Sequence, residues 1–133
     1  MEEPKDTSST APPEPVGGVK HIFAAAKYSI GGLAVLAKET AFKLEIVSAL
    51  ILYGLFVLAG PSILHYVVLT GLVLLVLSAE AFNTAIELIV DEISPQRSEF
   101  ARKTKDLGSF AVACLQLATG IYAAYVLGSA WLG

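Results

Sequence analysis

The chain has 133 residues, of which 55% are apolar and 16% are charged, and its formal net charge is −3. This length accommodates a single domain. Soluble domains carry about 25% charged residues, so the composition excludes an ordinary soluble domain. The apolar residues also form long runs, because residues 46–79 and 107–133 contain no Asp, Glu, Lys or Arg. A membrane span needs about 20 apolar residues, and the sequence therefore predicts a membrane protein.

The first segment of the chain differs from the rest in composition. Residues 1–18 are rich in Pro, Glu, Ser and Thr, and Gly17-Gly18 ends the stretch. Such a composition does not bury a core, so we expect a disordered, acidic, Pro-rich tail. We expect residues 19–133 to form one membrane domain.

Helical periodicity begins at Val19 and predicts an interfacial helix over residues 19–38. Lys20, Lys27 and Lys38 fall on one line of such a helix, and apolar side chains occupy the opposite side. A basic stripe opposite an apolar stripe is typical of a helix that lies in the membrane interface. The glycine pair at positions 31 and 32 is expected to weaken this helix midway.

The uncharged run of residues 46–79 would form about 51 Å of helix, which is too long for one crossing. Gly60-Pro61-Ser62 divides it, because Gly suits a helix end and Pro suits the first turn of the next helix. The sequence therefore predicts an all-α fold with spans at about residues 42–59, 62–91 and 107–132. The polar stretch 91–106 is expected to be a loop.

The basic residues predict the orientation of these spans. All nine lysines and arginines lie within the first 43 residues or between Arg97 and Lys105. The positive-inside rule then places the N-terminus and the 91–106 stretch in the cytoplasm. Tyr and Trp side chains, such as Tyr66 and Trp131, would lie toward the outer side as an interfacial aromatic belt.

Four polar side chains in the second span lie on one face of the helix. Glu80, Asn83, Glu87 and Asp91 are three or four residues apart, which keeps them within about 80° of each other. Glu80 follows an almost complete apolar span and so lies near the cytoplasmic edge of the hydrocarbon. Glu87 and Asp91 lie roughly 10–16 Å further along the helix axis, toward water.

This placement suits an enzyme that joins a lipid hydroxyl to a phosphoryl group from a water-soluble donor. Glu80, at the poorly solvated edge, is a candidate proton acceptor. Glu87 and Glu39, which lies at the same depth, are candidate ligands of a divalent cation. Lys105-Asp106 enters the third span on the same side, and a lysine there would neutralise charge on a transferred phosphoryl group.

Simpler interpretations of the same residues stay open from spacing alone. Glu80 by itself could be a proton-relay group or a helix-packing contact, and Asn83 by itself is typical of interhelical hydrogen bonding. Glu39, Asp91 and Lys105 could each be solvated helix ends. A small proton-coupled exporter would use Glu80 as its ion-coupling group, although such groups belong near mid-bilayer. The sequence contains no Walker-type or kinase-type glycine loop, so any use of ATP requires a different fold.

Three stretches of the chain contain distinctive motifs. The first is EAFNTAIELIVDEISPQRSEFARKTKDLGSFAV at Glu80–Val112, which contains the pattern E-x-x-N-x-A-I-E-x-x-x-D. The second is KETAFKLE at Lys38–Glu45, and the third is AAKYSIGGL at Ala25–Leu33. The first stretch closely resembles the core of the small integral-membrane diacylglycerol kinases of bacteria, the second is similar to the acidic start of that family's first span, and the third to its surface helix. The resemblance covers about residues 19–130.

This resemblance implies a reaction and a set of site residues. The reaction is transfer of the γ-phosphoryl group from ATP to diacylglycerol, which gives phosphatidate and depends on Mg²⁺. By position, Glu80 matches the catalytic base, Glu39 and Glu87 match the metal-binding acids, and Asn83 and Asp91 match other active-site positions. Matches to nucleotide-contacting positions are His21, where the family often has Arg, Tyr28, Glu39, Glu87, Gln96, Arg97, Ser98, Lys105 and Asp106. Matches to the lipid-contacting positions are Glu45, Glu80 and Ser109.

The resemblance also implies partners and a cellular location. We expect a homotrimer in the bacterial inner membrane, with diacylglycerol and ATP as substrates and no nucleic-acid partner. The same family includes undecaprenol kinases that share the core motif. The ETAFKLE and DLGS stretches favour the diacylglycerol branch, and undecaprenol stays open as the alternative substrate.

Overall fold

The computed structural model describes residues 18–96 and 98–132. Over these residues the chain is all-helical and contains no strand. Three of its helices are long and apolar enough to cross a membrane, and they confirm the predicted all-α fold with three spans. The predicted tail lies outside the described residues except for Gly18. The four helices are α1 (Val19–Leu36), α2 (Thr40–Ala59), α3 (Ile63–Ile93) and α4 (Glu99–Leu132).

The chain divides between Gly31 and Gly32 into two units, which are described separately. Most of α1 belongs to the first unit, and none of the residues of α1 is buried. The helix is continuous through both glycines, so the expected weakening does not interrupt it, and it ends at Leu36 rather than at residue 38. The position of α1 in the membrane interface stays a prediction.

The second unit contains the turn between α2 and α3. Gly60 has a left-handed backbone conformation, with φ of 63°, and its N–H donates to the carbonyl oxygen of Phe56 at 2.9 Å. A glycine adopts this conformation without steric strain, which explains why α2 ends here. Helices α2 and α3 begin and end within two residues of the two spans predicted at about residues 42–59 and 62–91.

The hydrophobic core lies at the end of the bundle that carries this turn. Phe56, Leu69, Ala123 and Val126 form one buried cluster contributed by α2, α3 and α4. At the same end, the Tyr122 hydroxyl lies 2.9 Å from Nδ1 of His65. The apolar packing therefore holds the three helices together at one end, and most remaining apolar side chains face outward, as expected for contact with lipid or with other subunits.

The polar stretch between α3 and α4 is much shorter than predicted. Among the described residues of this stretch only 94–96 and 98 lie outside helices, so the predicted loop over residues 91–106 is wrong, and the helix of the third span begins at Glu99 rather than at residue 107. Ser98 caps α4, because its Oγ accepts a hydrogen bond from the N–H of Ala101 at 3.1 Å. Ion pairs of Glu99 with Lys103 and of Arg102 with Asp106, each at 2.8 Å, span successive turns and favour helix over loop.

Candidate functional site

A cavity of about 280 Å³ opens between α2, α3 and α4 at the polar end of the bundle, and we call it the acidic cavity. Glu80, Asn83 and Glu87 reach it from one face of α3, as their spacing predicts. Glu39, the residue directly before α2, also lines this cavity. The structure thus brings the two predicted metal-binding acids and the predicted base to one cavity. The polar residues in its wall are Glu39, Glu80, Asn83, Thr84, Glu87, Ser109 and Gln116.

The acidic cavity is deepest around Glu80 and Asn83. Glu80 is 5% exposed and Asn83 is 8% exposed, whereas Glu87 is half-buried and Glu39 is exposed. The amide Nδ2 of Asn83 donates to Oε1 of Glu87 at 3.2 Å, which orients that carboxylate. The burial therefore decreases from Glu80 toward Glu87 and Glu39, as the predicted difference in depth requires.

Close packing of α4 fixes the Asn83 side chain. Gly108 lies directly over it, and a Cβ atom added at Gly108 would collide with the Asn83 amide oxygen. That oxygen, Oδ1, is buried and has no hydrogen-bond partner among the described residues. A buried polar atom is normally paired, and the close approach of Gly108 accounts for the missing partner of this one.

A second cavity, which we call the apolar cavity, lies beside the acidic cavity and has a volume of about 410 Å³. The two cavities share Ala41 and Gln116 in their walls. The lining is mostly apolar side chains such as Leu52 and Val76, but it also includes Glu45. Glu45 is 8% exposed, and its Oε1 accepts a hydrogen bond from Nε2 of Gln116 at 3.0 Å.

Gln116 is a polar residue of this region that the sequence reasoning missed. It is the one amide between Leu115 and Leu117 in an otherwise apolar run of α4. An amide inside a membrane helix usually hydrogen-bonds to a neighbouring helix, and this signal was sufficient to select it. Its partner was not predictable, because Glu45 lies on a different helix.

A shallow groove lies further toward the polar end, between the end of α3 and the start of α4, and we call it the Lys105 groove. It has a volume of about 520 Å³ and brings together Asp91, Gln96, Ser98 and Lys105, all predicted active-site or nucleotide-contacting residues. The Lys105 ammonium forms an ion pair with the Asp91 carboxylate. Ser98 also has a local role here, as the cap of α4.

Other predicted nucleotide contacts do not gather in this groove. The exposed Asp106 carboxylate pairs with Arg102 and lines neither cavity nor the groove. His21 and Tyr28 are exposed residues of α1 in the first unit, so their nucleotide contacts stay predictions. Arg97 lies outside the described residues.

The donors in the acidic cavity fit a magnesium ion that keeps phosphate and water ligands. No three His, Cys, Asp or Glu side chains of the described residues lie close enough to hold an ion by themselves. Glu39 and Glu87 supply two carboxylates to the cavity, and the Asn83 amide group orients the second of them. Mg²⁺ is usually bound through one or two carboxylates, with substrate phosphates and water completing the shell.

The fold and the cavities define a class of protein. The chain is a small integral-membrane protein in which an acidic cavity with a buried carboxyl group, that of Glu80, adjoins an apolar cavity. Such an arrangement is suited to chemistry between a lipid and a polar substrate.

Comparison with known proteins gives the family. The profile of the prokaryotic diacylglycerol kinases matches residues 27–127. A diacylglycerol kinase of Sinorhizobium sp is 47% identical over 118 residues, which cover 89% of this chain and 86% of the relative. A diacylglycerol kinase of Haemophilus influenzae is 36% identical over 96 residues, covering 71% and 81%. One of Pseudomonas aeruginosa is 33% identical over 113 residues, covering 84% and 92%.

The chain therefore belongs to the prokaryotic diacylglycerol kinase family, a family of kinase enzymes. The family confirms the resemblance that the motif around Glu80 indicates. Membership in a family of kinases also disfavours the proton-coupled exporter as the function of this chain.

Proposed function

We propose that this protein transfers the γ-phosphoryl group of ATP to the free hydroxyl of diacylglycerol, giving phosphatidate and ADP. The hydroxyl oxygen forms a new bond to the γ-phosphorus, the bond from that phosphorus to the β,γ-bridging oxygen breaks, and the hydroxyl proton goes to Glu80. The observation that carries the proposal is the position of Glu80, which is buried in the wall of a cavity that also contains Glu39 and Glu87.

The depth of each group supports this division of roles. Glu87 lies two turns beyond Glu80 on α3, about 10 Å along the axis. A lipid hydroxyl that enters from the apolar side would reach Glu80 first. Glu39 and Glu87 would hold Mg²⁺, which supplies positive charge to the phosphate oxygens when it is bound. Asn83 orients the Glu87 carboxylate for this purpose.

Lys105 is proposed to contact the phosphates of the nucleotide. In the structure its ammonium is held by the Asp91 carboxylate at the edge of the Lys105 groove, and a phosphate group would compete for the same ammonium. The substitution Lys105→Met is expected to raise the KM for ATP by about tenfold, because one charge-assisted contact is lost. The KM for the lipid is expected to stay unchanged.

The control for this substitution is Lys103→Met. Lys103 lies two residues earlier on α4, is exposed and pairs with Glu99 at 2.8 Å. Steady-state kinetics with ATP varied at saturating lipid measure both variants. Equal KM values for ATP in the two variants would contradict the role proposed for Lys105.

We propose further that the protein lies in the bacterial inner membrane, with the polar end of the bundle in the cytoplasm. The distribution of lysine and arginine supports this orientation. The ATP supply supports it as well, since the nucleotide is cytoplasmic. The homotrimer stays a prediction of the family resemblance.

The decisive experiment compares two lipid substrates. The purified protein in mixed micelles with Mg-ATP is expected to phosphorylate dioleoylglycerol with a higher kcat/KM than undecaprenol, measured as radiolabelled lipid product. A higher kcat/KM for undecaprenol would replace the proposed substrate while keeping the kinase.

A further inference from the structure

The contact between Glu45 and Gln116 lies at the point where the two cavities meet. Gln116 belongs to the wall of both cavities, whereas Glu45 faces the apolar cavity alone. A lipid whose hydroxyl reaches Glu80 would therefore place the atoms next to that hydroxyl beside this pair. The pair is a polar element in a space that is otherwise suited to hydrocarbon.

One carboxyl oxygen of Glu45 has no hydrogen-bond partner among the described residues. Gln116 occupies its Oε1, while its Oε2 is buried and has no hydrogen-bond partner in the described part of the chain. An unpaired buried polar atom is unfavourable, and inside a bilayer there is little water to pair with it. Some group of the bound molecule is therefore needed opposite Oε2.

The chemistry of the two possible substrates differs at this position. A carboxyl oxygen accepts from a hydroxyl when it is ionised and donates to an ester carbonyl when it is protonated. The one free hydroxyl of a diacylglycerol must stay at Glu80, but its ester carbonyls lie within a few bonds of that hydroxyl and can accept a hydrogen bond from a protonated Glu45 carboxyl group. A polyprenol has one hydroxyl, which must stay at Glu80, and only hydrocarbon beyond it.

We propose that Gln116 is a specificity-determining positioning residue, which holds the Glu45 carboxyl group against the glycerol ester region of the lipid and thereby favours glycerolipids over polyprenols. This inference rests on the proposed lipid kinase activity and names the residue that selects its substrate. Gln116 acts through Glu45, because its amide fixes one carboxyl oxygen and leaves the other free for the lipid.

The test is the substitution Gln116→Met, which keeps the length of the side chain and removes its hydrogen bonds. The ratio of kcat/KM for dioleoylglycerol to that for undecaprenol is expected to fall by about tenfold, as for loss of one buried hydrogen bond. The loss should appear as a higher KM for dioleoylglycerol, while the KM for ATP stays unchanged. The control is Ser78→Ala. Ser78 is exposed, and its hydroxyl donates to the carbonyl oxygen of Leu74 in its own helix at 2.8 Å. It lines neither cavity nor the Lys105 groove.

Each outcome of this experiment decides the proposal. An unchanged ratio, or an equal loss of activity on both lipids, would show that Gln116 is structural only and would overturn the inference without affecting the kinase. If Gln116→Met does not fold, Gln116→Asn decides, because its shorter amide no longer reaches Glu45 and the same fall in the ratio is expected. A wild-type preference for undecaprenol would instead contradict the proposed substrate.

Discussion

The substitution Glu80→Gln is expected to lower kcat by about 10²–10⁴-fold, the usual contribution of a general base. Gln has the same shape as Glu and can keep hydrogen bonds, but it does not take up the hydroxyl proton. Glu80 is buried in the wall of the acidic cavity, and no other described residue that lines that cavity is an equally buried carboxyl group that could replace it as the base. Radiolabelled phosphatidate, formed in mixed micelles with Mg-ATP, measures the loss.

A matched control lies on the same helix. Glu92 is an exposed acid near the end of α3 that lines neither cavity nor the Lys105 groove, and Glu92→Gln is expected to retain wild-type activity. Thermal unfolding in detergent should show that both variants are folded. If a folded Glu80→Gln variant kept more than about a tenth of the wild-type kcat, Glu80 would not be the base.

Local rules of helix geometry were sufficient to predict the elements that carry this chemistry. Gly60-Pro61 marks the end of α2 because glycine adopts the left-handed conformation seen there. The positions of Glu80, Asn83 and Glu87 on one face follow from the helical period, and the structure places all three in one cavity. These predictions depend only on residues close together in the chain.

Charge is a poor sign of loop structure in this chain. The polar character of residues 91–106 predicts a loop, yet residues 99–106 form the first turns of α4. Ser98 as a helix cap and the spacing of Glu99 and Lys103 were visible signals for an earlier start. Oppositely charged side chains one turn apart stabilise the exposed start of α4. Hydrophobic periodicity does not predict this helix start, because the residues there are polar.

The contact between Glu45 and Gln116 could not be read from the sequence for a different reason. These residues are 71 positions apart, and their hydrogen bond depends on how α2 and α4 are rotated about their axes. Residues far from this hydrogen bond also pack these two helices together, at the opposite end of the bundle around Phe56 and Val126. Periodicity identifies the polar residues of each helix, but it does not identify which of them meet.

The substitution Glu87→Gln is expected to raise the Mg²⁺ concentration for half-maximal activity by about tenfold or more, because one of two protein carboxylates of the proposed ion site is lost. A magnesium titration at saturating ATP and lipid measures the shift, and excess EDTA should abolish the wild-type activity. Glu39→Gln is expected to act in the same direction, since Glu39 lines the same cavity. Glu92→Gln again serves as the control.

The magnesium titration also separates two roles that Glu87 could have. Its Oε1 accepts a hydrogen bond from Asn83, so Glu87→Gln disturbs the Asn83 amide as well as removing charge. Loss of charge weakens ion binding, and high Mg²⁺ should therefore restore much of the activity. A disturbed amide would lower kcat at every Mg²⁺ concentration. A low kcat with an unchanged Mg²⁺ concentration for half-maximal activity would thus contradict the metal-binding role of Glu87. Glu87 would then act only as the hydrogen-bond partner of Asn83.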